Sequence, residues 1–453
     1  MSGRDRVASS EPDSLDEPAN RQPGEPETHD TYDGQLSAHN MRHGVLHGAF
    51  FNMGKAFADP YAVIPLFVAG FTESRMLIGL VVSLVEAVSV FPQMFMARQI
   101  RRHPASARPF MLAGIWTRCG VWGLIAAGAL LLPMQSVWIL VFFVLLVSVY
   151  SLGGGIATLP FKQVISGTIP PDRRSAFFGW RLLTGGIGAV LAGLTVKCVL
   201  GCESLTYPRN YGVLFVLSFV ALAVAYTAMS GFRFPRYNGK PTGNHLPPLR
   251  EELNVVRRRY PILKRLIAVR LLSGGLTLVL PFLTLYATQE IGIPLAWVGL
   301  YVAAQQGGAI LSNLAWMPLG NRFGTRVVIL LGLALAVLSV LLILFSCASV
   351  PIAVAFALAG GSMSATLVGF GGYILELGTA EIRPLLFALE GTLLLPRYFM
   401  PLFGGWLADA HGYRAAILVG GGLLVAAFAY AVTLCEPRRG DAACGPRARD
   451  SDG

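Results

Sequence analysis

"IGLVVSLVEAVSVFPQ", Ile78 to Gln93, and "VGLYVAAQQGGAILSN", Val298 to Asn313, align without a gap. Gly79 falls on Gly299, Glu86 on Gln306 and Gln93 on Asn313. Two apolar stretches that match in register, far apart in one chain, point to an internal repeat. Two further pairs occur in the same order. "AVIPLFVAGFTES" (62–74) matches "LVLPFLTLYATQE" (278–290), placing Pro65 on Pro281. "PPDRRSAFFG" (170–179) matches "TAEIRPLLFA" (379–388), placing Asp172 on Glu381 and Arg174 on Arg383. The chain therefore reads as two related halves.

Composition says where those halves sit. Hydrophobic residues make up 54% of the 453, charged residues 13%, and the mean hydropathy is +0.58. That is too apolar for a soluble domain of this length. About twelve runs have the roughly twenty residues needed to cross a hydrocarbon core. They begin near residues 45, 76, 109, 136, 176, 211, 262, 295, 326, 351, 384 and 413. Only helices and closed barrels satisfy the backbone in lipid, and barrel strands are half this length. The expected fold is an all-α membrane protein: twelve transmembrane helices in two pseudo-symmetric six-helix bundles.

The ends and connections divide the chain further. Residues 1–40 carry nine acids and three arginines with many Pro and Ser, which predicts a disordered acidic tail and no signal peptide. Against the chain's formal +11, the tail's −6 leaves about +17 on the remainder. That excess alternates: "RQIRRHPASARP", "PPDRRSAFFGWR", the long sixth connection and "GNRFGTR" are basic, while "FTES", "PMQS" and "CASVP" are nearly free of cations. The positive-inside rule makes the basic connections and both termini cytoplasmic. It also accounts for the basic balance without nucleic acid. Expected boundaries are an acidic tail (1–40), an N-terminal bundle (41–231), a basic linker (232–261), a C-terminal bundle (262–435) and a cytoplasmic tail (436–453).

With these features the chain resembles the major facilitator superfamily of secondary transporters, over roughly residues 42 to 435. The most specific local piece is "LGNRFGTR", Leu319 to Arg326, similar to the family's signature G-x-x-x-D-R-x-G-R-[RK] between helices 8 and 9. "PPDRRSAFFG" is similar to the family's usual start of helix 5. The resemblance implies a cytoplasmic gate at Arg102, Asp172, Arg173, Asn321, Arg322, Glu381 and Arg383. The signature acid is replaced by Asn321, and Arg101 takes the equivalent place in the first half, so the latch chemistry departs from the family pattern. Helix 4 lacks the Arg, and helix 5 the Gly-Pro pair, that drug-proton antiporters of the family carry.

Charges inside the apolar runs are the candidate site. An isolated charge near the bilayer centre costs about 3 kcal/mol on insertion scales, so it usually faces a cavity or a partner. Lys55 and Asp59 lie four residues apart on one helical face, just before Pro60, which interrupts the helix. They are read either as a buried ion pair or as part of a site at a helix break. Glu86, Arg270, Gln305, Gln306 and Arg397 complete the set. Arg397 lies about 21 Å past Arg383 at 1.5 Å per residue, between Pro396 and Pro401. It is set against a structural pairing with Glu390. Arg270 is set against snorkelling, and Glu86 against a neutral inter-helix hydrogen bond.

The six cysteines form no metal pattern, and there is no phosphate loop, H-E-x-x-H or G-x-S-x-G. No enzyme activity, cofactor or metal is expected. The expected function is secondary active transport of a small, anionic or zwitterionic solute by alternating access, with protons as a candidate coupling ion. The alternative is a transport-inactive membrane sensor or scaffold, with an embedded enzyme disfavoured by the lack of a catalytic cluster. Partners are the solute and the lipid bilayer, with no nucleic acid. A monomer in the bacterial inner membrane is expected.

Overall fold

Prolines and short polar interruptions cut the apolar runs into seventeen α-helices, and no strand occurs among the described residues. The computed structural model describes residues 34–103, 106–131, 137–233, 260–377 and 383–437. The first half holds α1 (Gly34–Phe57), α2 (Val63–Ala69), α3 (Arg75–Ala87), α4 (Val90–Arg102), α5 (Ala107–Leu131), α6 (Val137–Thr168), α7 (Pro171–Leu200) and α8 (Arg209–Ser230). The second holds α9 (Ile262–Leu272), α10 (Gly275–Leu285), α11 (Trp297–Phe323), α12 (Thr325–Leu344), α13 (Ser349–Leu377), α14 (Arg383–Leu393), α15 (Leu395–Tyr398), α16 (Met400–His411) and α17 (Tyr413–Ala431). Joined across their breaks (α1–α2, α3–α4, α9–α10, α14–α16), they fall into twelve consecutive segments.

Among the described residues, nine helical stretches are long and apolar enough to cross a membrane. The first, eighth and eleventh segments do not qualify. These hold Lys55, the Gln305–Gln306 pair and Arg397, and the eleventh is broken into helices of 11, 4 and 12 residues. Large apolar side chains such as Phe91, Trp138, Leu314, Leu367 and Phe345 stand exposed, the surface a bilayer would cover.

The breaks have local causes. Between α1 and α2, Asp59 accepts the N–H groups of Tyr61 and Ala62 on Oδ1, both at 2.9 Å. Its own carbonyl accepts from Val63 and Ile64. The carboxylate thus satisfies backbone donors that Pro60 leaves without helical partners. The eleventh segment breaks at Pro396 and Pro401, the bend expected around Arg397.

α1 begins at Gly34, so residues 34–40, expected in the disordered tail, are helical. The end of α8 holds them there. His39 Nε2 donates to Gly231 O at 3.0 Å and His43 Nδ1 to Ala228 O at 2.8 Å. Asn40 exchanges two bonds with the backbone of Arg233, at 2.8 and 2.9 Å. These groups satisfy carbonyls that a helix end leaves open. Most of the tail and central linker, and the final residues, lie outside the described residues.

The halves meet along two equivalent seams, α3 with α16 and α7 with α11. Both seams need glycine. A Cβ at Gly79 would lie 2.1 Å from Pro401 O, and one at Gly299 would lie 2.1 Å from Lys197 N and 2.4 Å from Gly193 O. The residues that the repeat aligns therefore do the same work, letting two backbones touch. Both seams lie at the end opposite the basic connections, while α4 and α14, toward the basic end, make little contact among the described residues.

Candidate solute-binding site

Beside the α1–α2 break lies a cavity of about 220 Å³ within the first half. Its charged lining comes from three segments: Lys55 on α1, Glu86 on α3 and Arg118 on α5, with Tyr150 and Thr158 from α6. Lys55 is exposed, while Glu86 and Arg118 are partly buried. Among the described residues no ion pair joins these three charges.

Arg118 is the residue the charge search along the sequence overlooked. It is a lone cation in "MLAGIWTRCGVWGLIAAGALL", and the criterion that selected Lys55 also selects it. Its guanidinium donates to Tyr150 Oη at 2.6 Å and lies over the Tyr150 ring at 4.3 Å. Its Nε is buried without a hydrogen-bond partner. Gly154 packs beside it: a Cβ there would stand in ordinary contact, 3.5 Å from the guanidinium carbon.

Of the two readings for Lys55 and Asp59, the ion pair is not formed. Asp59 is 5% exposed and committed to its own backbone turn, whereas Lys55 faces the cavity. Position in the apolar run made the two look alike; the Pro60 break separates their roles.

The second half contributes a different arrangement. Glu390 of α14 pairs with Arg270 of α9, and Arg270 also lies 5.2 Å from the Phe370 ring centroid. Glu390 does not pair with Arg397, because the breaks at Pro396 end the helical register that would stack them. Arg397 lies within electrostatic reach of Glu86 of the first half and of Arg270. Its Nε is buried without a hydrogen-bond partner. Gln305 and Gln306 do not line the cavity. Gln305 is buried against α13, donating weakly to Met363 Sδ at 3.4 Å.

The expected gate is described only in part. Glu381 lies outside the described residues, as do the side chains of Arg102, Asp172 and Arg383. Arg173, Asn321 and Arg322 are exposed, and Arg322 lies over the Phe323 ring. At the same turn Gly324 has φ +93°, and Glu436 occupies the space where a Cβ would project. Glu436 accepts Arg326 N at 3.0 Å, and Glu376 accepts Thr325 Oγ1 at 3.0 Å. Acids from elsewhere in the second half thus stand at the signature that itself lacks one. Cys198 and Cys202 are free.

Residues 265–449 match the family model described as Major Facilitator Superfamily. The match covers the second half of the chain, which is similar to the major facilitator superfamily over those residues. None of the curated proteins matches it. Among solved structures, a point mutant of the nucleoside transporter NupG is similar at 13% identity and TM-score 0.65, covering 88% of this chain and 99% of that one. A bacterial homologue of the iron transporter ferroportin is similar in its inward-facing state at 14% identity and TM-score 0.64, over 88% and 98%. In its outward-facing state the values are 15% and 0.59, over 87% and 99%. Likeness at these identities concerns the fold. The family match in the second half and the nine apolar helical stretches among the described residues agree with a multi-pass membrane protein of this fold.

Proposed function

We propose that this chain is a member of the major facilitator superfamily, a secondary transporter that moves a small anionic or zwitterionic solute by alternating access. The cavity at the α1–α2 break carries the reading: Lys55, Arg118 and Glu86 face one space beside an interrupted helix, as transporters of this kind build their sites. The cations bind the anionic group, and Glu86 serves as the candidate proton-coupling carboxylate. Arg397, within electrostatic reach of Glu86 from the other bundle, links the site to the rocking of the halves.

Orientation follows from charge. The basic connections are cytoplasmic under the positive-inside rule, which puts both termini inside and fits a bacterial inner membrane. The closed seams then lie on the outer side, and the conformation is inward-open. The better match to the inward-facing than to the outward-facing ferroportin homologue supports this.

The test is solute flux in proteoliposomes, with thermal stability measured on the same protein. Lys55→Met and Arg118→Met are expected to abolish flux without unfolding the chain. Stable variants that keep full flux would move the site elsewhere, and a wild type that binds solute but carries none would favour the sensor.

A further inference from the structure

We infer that the cavity takes a zwitterion: a small solute whose anionic group meets Lys55 and Arg118 and whose ammonium group meets Glu86. This deepens the transport reading and rests on it.

The first support is opposite charge at one cavity that forms no ion pair, although Arg397 lies within electrostatic reach of Glu86. Lys55, Arg118 and Glu86 line one cavity, yet no ion pair joins them among the described residues. Elsewhere in the chain the fold does pair its charges, joining Arg270 to Glu390 in the second half and spending Asp59 on the N–H groups of Tyr61 and Ala62. Opposite charges kept apart across a partly desolvated space are matched by a solute that carries both signs. A simple anion would satisfy the cations but be repelled by Glu86, and a simple amine would meet the reverse problem.

A second support is that Arg118 is held in place. Its bond to Tyr150 Oη and its position over the Tyr150 and Phe51 rings, at 4.3 and 5.4 Å, fix the guanidinium. Its buried Nε has no partner. A guanidinium held in one orientation suits a planar carboxylate. The size also suits a small solute, with a cavity of about 220 Å³. Trp122 and Phe51 supply an apolar wall for a short side chain.

The test uses matched probes: leucine and other amino acids, the carboxylates lacking the ammonium group (4-methylpentanoate for leucine), and the amines lacking the carboxylate (3-methylbutylamine). Binding is read by thermal stabilisation in detergent, and movement separately by flux in proteoliposomes. Amino acids should bind at least tenfold more tightly than their matched carboxylates or amines. In Glu86→Gln that preference should shrink or reverse, because the carboxylate gains as the amino acid loses; improved carboxylate binding also shows that the variant is folded. Carboxylates binding the wild type as tightly as amino acids would overturn the inference, as would a panel that leaves stability unchanged. Amino acids that bind but do not move would leave it standing and overturn the transport reading instead. Carboxylates that bind and move better than amino acids would do the opposite.

Discussion

Asp409 accepts the backbone N–H of Arg75 at 2.8 Å, so a carboxylate from the second half caps the first turn of a helix in the first half. It also accepts from Met76 N at 2.9 Å and from Ser74 Oγ at 3.1 Å. Arg75 answers by donating to Ala408 O and lying 4.2 Å from the Tyr413 ring centroid. The cap is reciprocal: Ser83 Oγ of α3 accepts from Leu402 N, in the first turn of α16, at 3.1 Å. Donors that helices leave open at their N-termini are here satisfied only while the bundles touch. Separating them at this end exposes both turns together.

Losing an N-cap costs about 1 kcal/mol, and losing an anion beside a helix N-terminus costs about 0.3–1 kcal/mol more. Asp409→Ala should therefore shift the balance between closed and open by roughly 9–30-fold toward open. Spin labels at Thr72 and His411, flanking the contact, should report a longer-distance population in the variant. An unchanged distance distribution would remove Asp409 from the latch.

The paired glycines make a sharper prediction. A Cβ at Gly79 or Gly299 meets backbone within 2.1 Å, whereas one at Gly120 meets nothing within 4 Å. Gly79→Ala and Gly299→Ala should each open the seam by the same spin-label measurement. Gly120→Ala should be neutral or stabilise by up to about 1 kcal/mol, the helix-propensity gain. Seams that stay closed with alanine at 79 and 299 would contradict the shared role of the repeat.

The repeat was legible because Gly79 and Gly299 sit at the same register in two apolar runs, and backbone contact tolerates few alternatives. Lys55 and Arg397 were legible because charge is rare in such runs; Arg118 satisfied the same test. Glu390 pointed to Arg397 by helical spacing, but the breaks at Pro396 and Pro401 destroy that spacing, and Arg270 arrives from a segment 120 residues away. Asp409 gave no signal. It lies in a short polar stretch beside a turn, and its partner is 334 residues distant.

Arg270 and Glu390 allow a test by double substitution. Arg270→Met or Glu390→Gln alone leaves one buried charge uncompensated and should cost about 3–5 kcal/mol, while the double variant should recover most of the loss. Melting temperatures in detergent decide it. Additive single effects would mean that the two side chains act independently.

Cys202 offers a test of orientation. It is exposed in the connection after α7, and hydrogen bonds from the Ser204 hydroxyl and backbone N–H hold its thiol below the ordinary thiol range. A lowered value means more thiolate at neutral pH, so labelling rises with pH and levels off earlier than for an ordinary thiol near 8.5. A membrane-impermeant maleimide should label intact cells, with the rapid fraction lost in Cys202→Ser. Labelling at Cys202 only after permeabilisation would reverse the orientation.

The final prediction separates Lys55 from Asp59. Asp59 serves the turn before α2 through two backbone hydrogen bonds. Asn caps helices about as well as Asp, so Asp59→Asn should leave stability nearly unchanged, whereas Asp59→Ala should cost about 1 kcal/mol. Lys55 forms no ion pair with Asp59 and is exposed to the cavity. Lys55→Met should therefore spare stability, since no buried partner is orphaned, yet abolish flux. If the two instead acted as one ion pair, each single change would destabilise and Lys55→Met with Asp59→Asn would restore the loss. Thermal stability and proteoliposome flux on the three single variants and the double decide between the outcomes. Flux preserved in Lys55→Met would take the opening charge of the first segment out of the solute's path.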